Sequence, residues 1–447
     1  MTTSYYADRE NLYHLYQRHP SWTQPQLAHA LGRSTDWVKK WLKRFREAHT
    51  QNTPLPEVFK GLSRARKQPP AKTDPFIVER ILEIRAHPPE GLRRTPGPKA
   101  IQYYLARDPT LGLFANSIPR SSRTIYRYLK EHGCIQERPV RHHEPMERPP
   151  ALQCWQLDFK DVSSARADPS DPFPKQQHQV QTYDAVDMGT SILLDAQVRP
   201  DLTAETALGC VVQSLQQYGR PASITVDRDT RWVGSPQGSD FPSALHRFCA
   251  CLGIELKVCD PHHPQQNCFV ERYHRTYQEE CLDYDKPKTL EQAKEATAAF
   301  AQHYNHERPN QALSCGNQPP RVAYATLPTL PALPEMVDPD SWLQSLDGMH
   351  LERKVDRHGM IRVDLKSYYV SAALAGQRVS VRLDAATLSL QMYREAQLVR
   401  TAPIKGIVGR MLSFDQFIEH MAHQARAQQR LRSLQERRRR TAASASP

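Results

Sequence analysis

The strongest limit on what this chain can fold into is a change of hydrophobic period near residue 154. Upstream, apolar residues recur at helical spacing. From there, "CWQLDFKDV" alternates, with Trp155, Leu157 and Phe159 on one face and Gln156, Asp158 and Lys160 on the other. "QVQTYDAVDMGTSILLDAQV" continues as two strands about a turn at Gly189, and "TAETALGCVVQSLQQYG" reads as a helix turning Ala207, Leu208, Val211, Val212 and Leu215 inward. A strand "SITVD", a helix through "SALHRFCACLG", a strand "IELKV" and a helix within "HHPQQNCFVERYHRTYQEE" follow. The order βββαβαβα implies a mixed sheet with helices packed on its faces.

At 447 residues the chain exceeds what one hydrophobic core usually serves, so several domains are expected. Residues 5 to 48 read as three helices, the last two being "TQPQLAHALG" and "STDWVKKWLKRFREA". Ala28, Gly32 and Val38 have helix-turn-helix spacing: a small residue where helices cross, a glycine for the tight turn and an apolar anchor under the second helix. That helix displays Lys39, Lys40, Lys43, Arg44 and Arg46. An ordinary basic hairpin is the bland alternative, and the density of cations favours DNA. Residues 1–50 are thus the first unit, and the proline-rich, basic stretch 51–75 reads as a linker. Residues 76–136 form a second helix-turn-helix-like unit closing on "PRSSRTIYRYLKEHG", where Ser121 or Ser122 could cap a helix displaying Arg123, Arg127 and Lys130. Residues 137–150 read as a linker, 151–326 as the α/β core and 327–348 as a further linker. In 349–412, strict alternation places Ile361, Val363 and Leu365, then Val379, Val381 and Leu383, on one face, as in a small β-barrel. Residues 413–447 read as a basic helical tail ending in Arg437 to Arg440.

Lysine and arginine outnumber aspartate and glutamate 60 to 48, and the formal charge of +12 favours a polyanionic partner, nucleic acid before an anionic membrane. No apolar run is long enough to span a bilayer, and "MTTSYYADRENLYH" lacks the layout of a signal peptide, so a soluble cytoplasmic protein with no membrane partner is expected. The nine cysteines lack the CxxC pairing of a zinc site and read as reduced thiols.

Three acids stand apart by their settings. Asp158 lies mid-strand on the polar face, Asp227 ends the fourth strand in "ITVDRD", and Glu271 begins the helix after the fifth. Sites in such sheets form at the carboxyl ends of strands, so Asp227 could sit near Asp158 and the following helix could bring Glu271 close. Crowded carboxylates repel; a divalent metal removes that cost, and three hard oxygen donors suit magnesium or manganese. Asp161, Asp184 and Asp187 read as turn or strand-edge acids. On the helix, Glu271, His274, Arg275 and Gln278 share one face, which makes Arg275 and Gln278 candidates for holding a DNA end.

The Asp in "WQLDF", the Asp in "ITVDRDTRW", the block "PQQNCFVERYHRTYQEE" and the later "YNHERPNQAL" resemble the DDE signature of the integrase core shared by bacterial insertion-sequence transposases and retroviral integrases. The resemblance implies an RNase H-like core, two divalent ions (Mg2+ or Mn2+), and catalytic and metal-binding roles for Asp158, Asp227 and Glu271. It implies a DNA transposase that cleaves element ends at terminal inverted repeats and transfers them into target DNA. Joining two ends together calls for a homo-oligomer on DNA, and a bacterial, nucleoid-associated setting is expected. The residues expected to touch DNA are Lys39, Lys40, Lys43, Arg44, Arg123, Arg127, Asn267, Arg275 and Gln278. Two rivals are a catalytically inactive, transposase-derived DNA-binding regulator and a metal-dependent nuclease with the same core. The chain also departs from the family pattern. "DRD" replaces Asp-Asn-Gly, making Asp229 a rival to Asp227; Asn267-Cys268 stands where Asn-Gly is usual; and the spacing from Asp227 to Glu271 is long, with "WVGSPQGSDFP" as the insertion.

Overall fold

The computed structural model describes residues 3–60, 73–135, 148–165, 178–234, 239–261 and 263–444. They fall into two compact units, within 1–72 and 73–447. Residues 61–72 of the expected linker 51–75, residues 137–147 of the expected linker 137–150, residue 136 before it and four insertion residues, 235–238, lie outside the described residues.

The first unit holds α1 (Thr3–Arg18), α2 (Gln24–Leu31), α3 (Thr35–Thr50) and α4 (Leu55–Lys60). The Thr23 N–H donates to Gln26 Oε1 at 2.8 Å and Pro25 sits in the first turn, which starts α2. Gly32, at φ 60°, ends it in the left-handed conformation that glycine adopts without strain. Ser34 Oγ then accepts the Trp37 N–H at 3.3 Å to start α3. Ala28 and Val38 are buried with Leu12, Leu27, Trp41, Leu42 and Phe45. The helix α4 falls inside the stretch expected to be a linker; its Phe59 is buried against Tyr6, Tyr13 and Phe45.

The second unit opens with α5 (Pro75–Ala86), α6 (Pro98–Leu105) and α7 (Ser122–Glu131), closed around Ile77, Ile81, Ile101, Leu105, Ile125 and Leu129. Ser121, rather than Ser122, caps α7 by accepting the Arg123 N–H at 3.2 Å.

The core follows the expected order with one short helix added. Strands β1 (Cys154–Ala165), β2 (His178–Asp187) and β3 (Leu193–Arg199) form an antiparallel meander. Then come α8 (Ala204–Tyr218), β4 (Ser223–Val226), α9 (Thr230–Val233), α10 (Ala244–Cys251), β5 (Glu255–Val258) and α11 (Cys268–Tyr277). The sheet order is β3-β2-β1-β4-β5, with β4 parallel to both β1 and β5. A π turn at Gln278–Leu282 carries α11 into α12 (Asp283–Asp285), and α13 (Leu290–His306) and α14 (Pro320–Ala323) follow. One sheet face packs Trp155, Leu157, Tyr183, Ile224 and Val226 against α8 and α10; the other packs Val180, Val186, Leu193 and Val198 against Tyr273, Tyr277, Phe300 and Tyr304. The second face is apolar on β2 and β3, whereas the central strands β1 and β4 carry Gln156, Asp158, Ser223 and Thr225 there. Gln156 and Asp158 lie at the candidate site.

The stretch 327–348 is laid along the core rather than left as a free tether. Leu330 and Val337 are buried in the first core, and Arg220 donates its N–H to Pro331 O at 2.9 Å and its Nε–H to Ala332 O at 3.0 Å. There β6 (Met336–Val337) pairs with the late strand β13 (Leu412–Ser413). Between them β7 (His350–Lys354), β8 (Met360–Val363), β9 (Lys366–Tyr369), β10 (Arg378–Asp384), β11 (Ser389–Arg394) and β12 (Gln397–Pro403) form a four-stranded sheet, β12-β11-β10-β7, and a separate β8-β9 hairpin. They share one core containing Ile361, Val363, Val379, Val381 and Leu383. Leu365 departs from the alternation: with Asp364 it forms the two-residue hairpin turn at φ 64° and 45°, and it is exposed. The helix α15 (Phe414–Ser444) returns to the core, where Phe417, Met421 and Ala425 are buried and Phe417 stacks on Phe248 at 5.4 Å.

Candidate active site

The site is built outward from β1. The last β1–β4 pair is Leu157 with Val226, so Asp158 and Asp227 extend from neighbouring parallel strands. Two residues before Asp158 and on the same strand face, Gln156 is fully buried. Its Oε1 accepts the N–H groups of Phe269 at 2.8 Å and Val270 at 3.1 Å, and its Nε2 donates to Gln266 O at 2.7 Å. The first helical N–H groups have no partner within the helix, so Gln156 both satisfies them and pins the start of α11 to β1. Glu271 follows immediately and is exposed. Cys259, whose N–H reaches Val226 O at 2.9 Å, has its thiol pushed up by burial and then by the charges of Asp227, Asp158 and Glu271. All three carboxylates thus act on one thiol.

Burial pushes Asp158 up to about 6, with Asp227 adding to the rise and His274 opposing it. Burial likewise raises Asp227, whose Oδ1 accepts the Asp229 N–H at 2.9 Å. Asp184 corrects the sequence reading, which took it for a turn or strand-edge acid. It lies on β2, between β3 and β1, is fully buried directly opposite Asp158, and meets His274 Nε2 at 2.9 Å. The strand pattern did place an acid on this polar face, but the partner that makes it tenable comes from a distant helix. Asp187 is the expected turn acid, accepting the Thr190 N–H at 2.8 Å and hydroxyl at 2.6 Å, and Asp161 accepts from Gln181 at 2.7 Å. Gln156 was not foreseen; its signal was a long amide on the polar face of a strand otherwise carrying charge.

The departures from the family pattern have structural correlates. Asp229 caps α9 through the Arg231 N–H at 2.8 Å, and its other carboxylate oxygen accepts Arg231 Nη2 at 2.7 Å. Arg231 also lies 3.8 Å over the Phe159 ring, and Trp232 stacks on that ring at 4.2 Å. Cys268 has φ −65° in the right-handed helical region, so glycine is not required there. The insertion holds the C-terminal sheets: Asp240 pairs with Arg353 and accepts the Asp364 N–H at 2.7 Å, while Phe241 meets Trp342 at 5.4 Å.

The nine side chains expected on DNA divide. Lys39, Lys40 and Lys43 on α3, Arg123 and Arg127 on α7, and Arg275 on α11 are exposed. Arg44 is half-buried over Trp41 at 4.6 Å. Asn267 is not at the surface but buried, and Gln278 donates to Asp283 at 2.6 Å within its own helix end.

Among the described residues, no group of three or more His, Cys, Asp or Glu is disposed to hold a metal ion as the side chains stand. The donor chemistry nonetheless fits a hard divalent cation. Asp158 and Asp227 are partly desolvated oxygen donors, and each bears the charge of a neighbouring acid, Asp227 on Asp158 and Asp229 on Asp227, the situation a cation relieves. Among the described residues, no helix is long and apolar enough to cross a membrane.

Comparison with known proteins agrees with this architecture. Residues 252–320 match the family described as integrase core domain. The insertion element IS407 uncharacterized 31.7 kDa protein of Burkholderia multivorans is 26% identical over 265 residues, 57% of this chain and 84% of that protein. The insertion element IS476 uncharacterized 39.2 kDa protein of Xanthomonas euvesicatoria is 34% identical over 91 residues, 20% of this chain and 26% of that protein. Among solved structures, the HTLV-2 integrase catalytic core domain in complex with magnesium covers 40% of this chain and 99% of its own, at 13% identity and TM-score 0.28. A simian T-cell lymphotropic virus intasome in complex with PP2A regulatory subunit B56 gamma covers 68% of this chain and 99% of its own, at 15% identity and TM-score 0.31. These two structural likenesses are slight, and nothing further rests on them. The integrase-core match spans α11 and α13, the helices that follow the mixed sheet with acids at adjacent strands. More narrowly, the chain is similar to insertion-element proteins over up to 57% of its length, and its residues 252–320 match the integrase core domain.

Proposed function

We propose that this protein is a DNA transposase that cleaves the ends of its element and joins them to target DNA in a divalent-metal-dependent reaction. The observation that carries the proposal is that Asp158 and Asp227 follow the last pair of the adjacent parallel strands β1 and β4, while Gln156 pins the helix start just before Glu271 to β1, so that three acids far apart in the chain are drawn to one region. Asp158 and Asp227, with Glu271, would hold Mg2+ or Mn2+, two ions being the number the family resemblance implies. Bound divalent ions would supply Lewis acidity toward the phosphodiester and a lowered pKa for the attacking water or 3′-hydroxyl. The remaining roles belong to the chain. Gln156 keeps Glu271 beside β1 by holding the start of its helix. Arg275, exposed one turn beyond Glu271, is positioned to meet phosphate, and Lys39, Lys40, Lys43, Arg44, Arg123 and Arg127 would grip element-end DNA in a salt-dependent manner. Because one phosphodiester is exchanged for another, the joining step needs no nucleotide cofactor. Two ends must be joined together, so the acting species is an oligomer of this chain on DNA.

The test uses labelled oligonucleotides carrying the terminal repeats that flank the coding sequence, incubated with the full chain and Mg2+. Asp158→Asn should abolish joining and leave end binding intact. Joining at the wild-type rate by this variant would sink the assignment.

A further inference from the structure

His274 has a position that sequence did not suggest. Its helical face was expected to meet DNA, yet the imidazole is turned inward and its two nitrogens face two carboxylates on neighbouring strands. Nε2 lies 2.9 Å from Asp184 Oδ2 and Nδ1 lies 3.6 Å from Asp158 Oδ2. Those acids are cross-strand partners in the β1–β2 ladder, an arrangement in which like charges oppose each other at close range. Asp184 has no solvent to disperse its charge and depends on His274 and on the Thr182 hydroxyl at 3.2 Å, with the charge of Lys160 a lesser contribution.

Asp158 is divided between two holders. Its Oδ1 accepts the Phe159 N–H at 2.8 Å, and its Oδ2 is the oxygen that faces His274. With one oxygen on the backbone and the other against the imidazole, the plane of the carboxylate is set. The same residue fixes the helix: His274 stands one turn after Glu271 on α11, so the strut that meets Asp158 also sets how far Glu271 stands from β1. A partner needed only to satisfy buried Asp184 would have no reason to present its second nitrogen to Asp158.

We propose that His274 is a positioning residue, bridging Asp184 to Asp158 so that Asp158 and Glu271 are held in the relative placement that metal binding requires. The inference rests on the functional reading above and names the residue that organises its site. Groups that orient metal ligands from behind typically change affinity by about 10- to 100-fold when removed.

The experiment measures Mn2+ binding to the full chain by electron paramagnetic resonance of free Mn2+, alongside thermal unfolding, for the wild type and for Asp158→Asn, His274→Gln and His274→Asn. A glutamine carries an amide where Nε2 was and retains the bond to Asp184, whereas an asparagine carries one where Nδ1 was and retains the approach to Asp158. His274→Gln should unfold at the wild-type temperature and bind Mn2+ about tenfold more weakly, and His274→Asn should recover most of that affinity. Wild-type Mn2+ affinity in His274→Gln overturns the positioning role. So does an affinity loss in both variants that simply follows a fall in unfolding temperature. If Asp158→Asn leaves Mn2+ binding unchanged, the metal site itself is wrong, which separates failure of the functional reading from failure of this inference.

Discussion

Replacing Gln156 tests whether one buried amide sets α11, the helix that carries Glu271. Gln156→Leu keeps the volume but removes three hydrogen bonds, at 2.8, 3.1 and 2.7 Å, and strands the Phe269 and Val270 N–H groups and the Gln266 carbonyl. Each stranded buried group costs about 1–3 kcal/mol, so about 3–9 kcal/mol if none is rescued by movement or water. Gln156→Glu is isosteric and keeps both acceptor positions. It loses only the Nε2 donor, and its charge faces a helix N-terminus, which is worth about 0.3–1 kcal/mol in the favourable direction. The expected order of damage is therefore wild type, then Gln156→Glu, then Gln156→Leu. Hydrogen exchange of the α11 amides reads this directly. At about tenfold per 1.4 kcal/mol, the Phe269 and Val270 amides of Gln156→Leu should exchange at least about 100-fold faster, while amides of the N-terminal unit stay unchanged. Strand joining should fall in the same order. Unchanged exchange in Gln156→Leu, or equal damage from both substitutions, would show that α11 is held by its apolar face alone and refute the reasoning.

The buried acid Glu280 is shared by two guanidiniums: Arg308 meets both its oxygens at 2.8 Å, and Arg94 Nε lies 3.1 Å from Oε1. Glu280→Gln leaves buried Arg308 and half-buried Arg94 uncompensated and should cost about 3–5 kcal/mol, whereas Arg94→Met spares the Glu280–Arg308 pair and should cost less; equal melting temperatures for the two would contradict this. At Asp108, burial acts to raise the carboxyl, but hydrogen bonds from Thr110 and Arg80 outweigh it and hold the group below the ordinary range. A depressed folded value means stability that is present above the ordinary value and lost as pH falls through the folded one. Asp108→Asn should therefore melt lower than wild type near neutrality, with the gap closing in acid, and a gap independent of pH would count against it. A Cβ at Gly189 would lie 2.7 Å from Pro149 O and 2.8 Å from Pro150 O, both backbone atoms, so Gly189→Ala should displace the entry to β1 and lower the melting temperature; a neutral substitution would show that this contact yields freely.

What could be read in the sequence was what neighbouring residues determine. The alternation from Trp155 to Lys160, the glycine that ends α2 and the hydroxyl that caps α7 are local, and the structure has each of them where the pattern puts it. The arrangement of the site depends on pairs far apart in the chain, Gln156 with Phe269 and Asp184 with His274, and no spacing rule joins residues across that distance. Two segments misled for a compositional reason. The proline-rich stretch 327–348 and the basic helix from 413 have the polarity of free tethers, yet a few apolar anchors, Leu330, Val337, Phe417 and Met421, bind them to the core. Phe417, Met421 and Ala425 recur every fourth position, a helical stripe that could have been weighed against the surrounding charge. Leu365 shows the opposite error, since strict alternation ignores a turn that interrupts it.

The "DRD" motif offers two acids, Asp227 and Asp229, for one ligand position. A metal ligand must keep an oxygen free. Asp229 spends one carboxylate oxygen on the backbone that starts α9 and the other on Arg231, whereas Asp227 lies beside Asp158 with only Oδ1 engaged by the Asp229 N–H. The helix so started carries Trp232, which stacks on Phe159, the residue next to Asp158. Asp229 therefore braces the wall beside Asp158, and Asp227 is the better placed of the two to offer an oxygen. Asparagine caps helices about as well as aspartate, and the partly exposed ion pair with Arg231 is worth about 0–1 kcal/mol, so Asp229→Asn should fold and join DNA ends nearly as the wild type does. Asp227→Asn, which removes a charge from the acid pair itself, should fold and bind ends but not join them. If Asp229→Asn proved the inactive variant and Asp227→Asn the active one, the pairing of β1 with β4 would have been the wrong guide to the second acid.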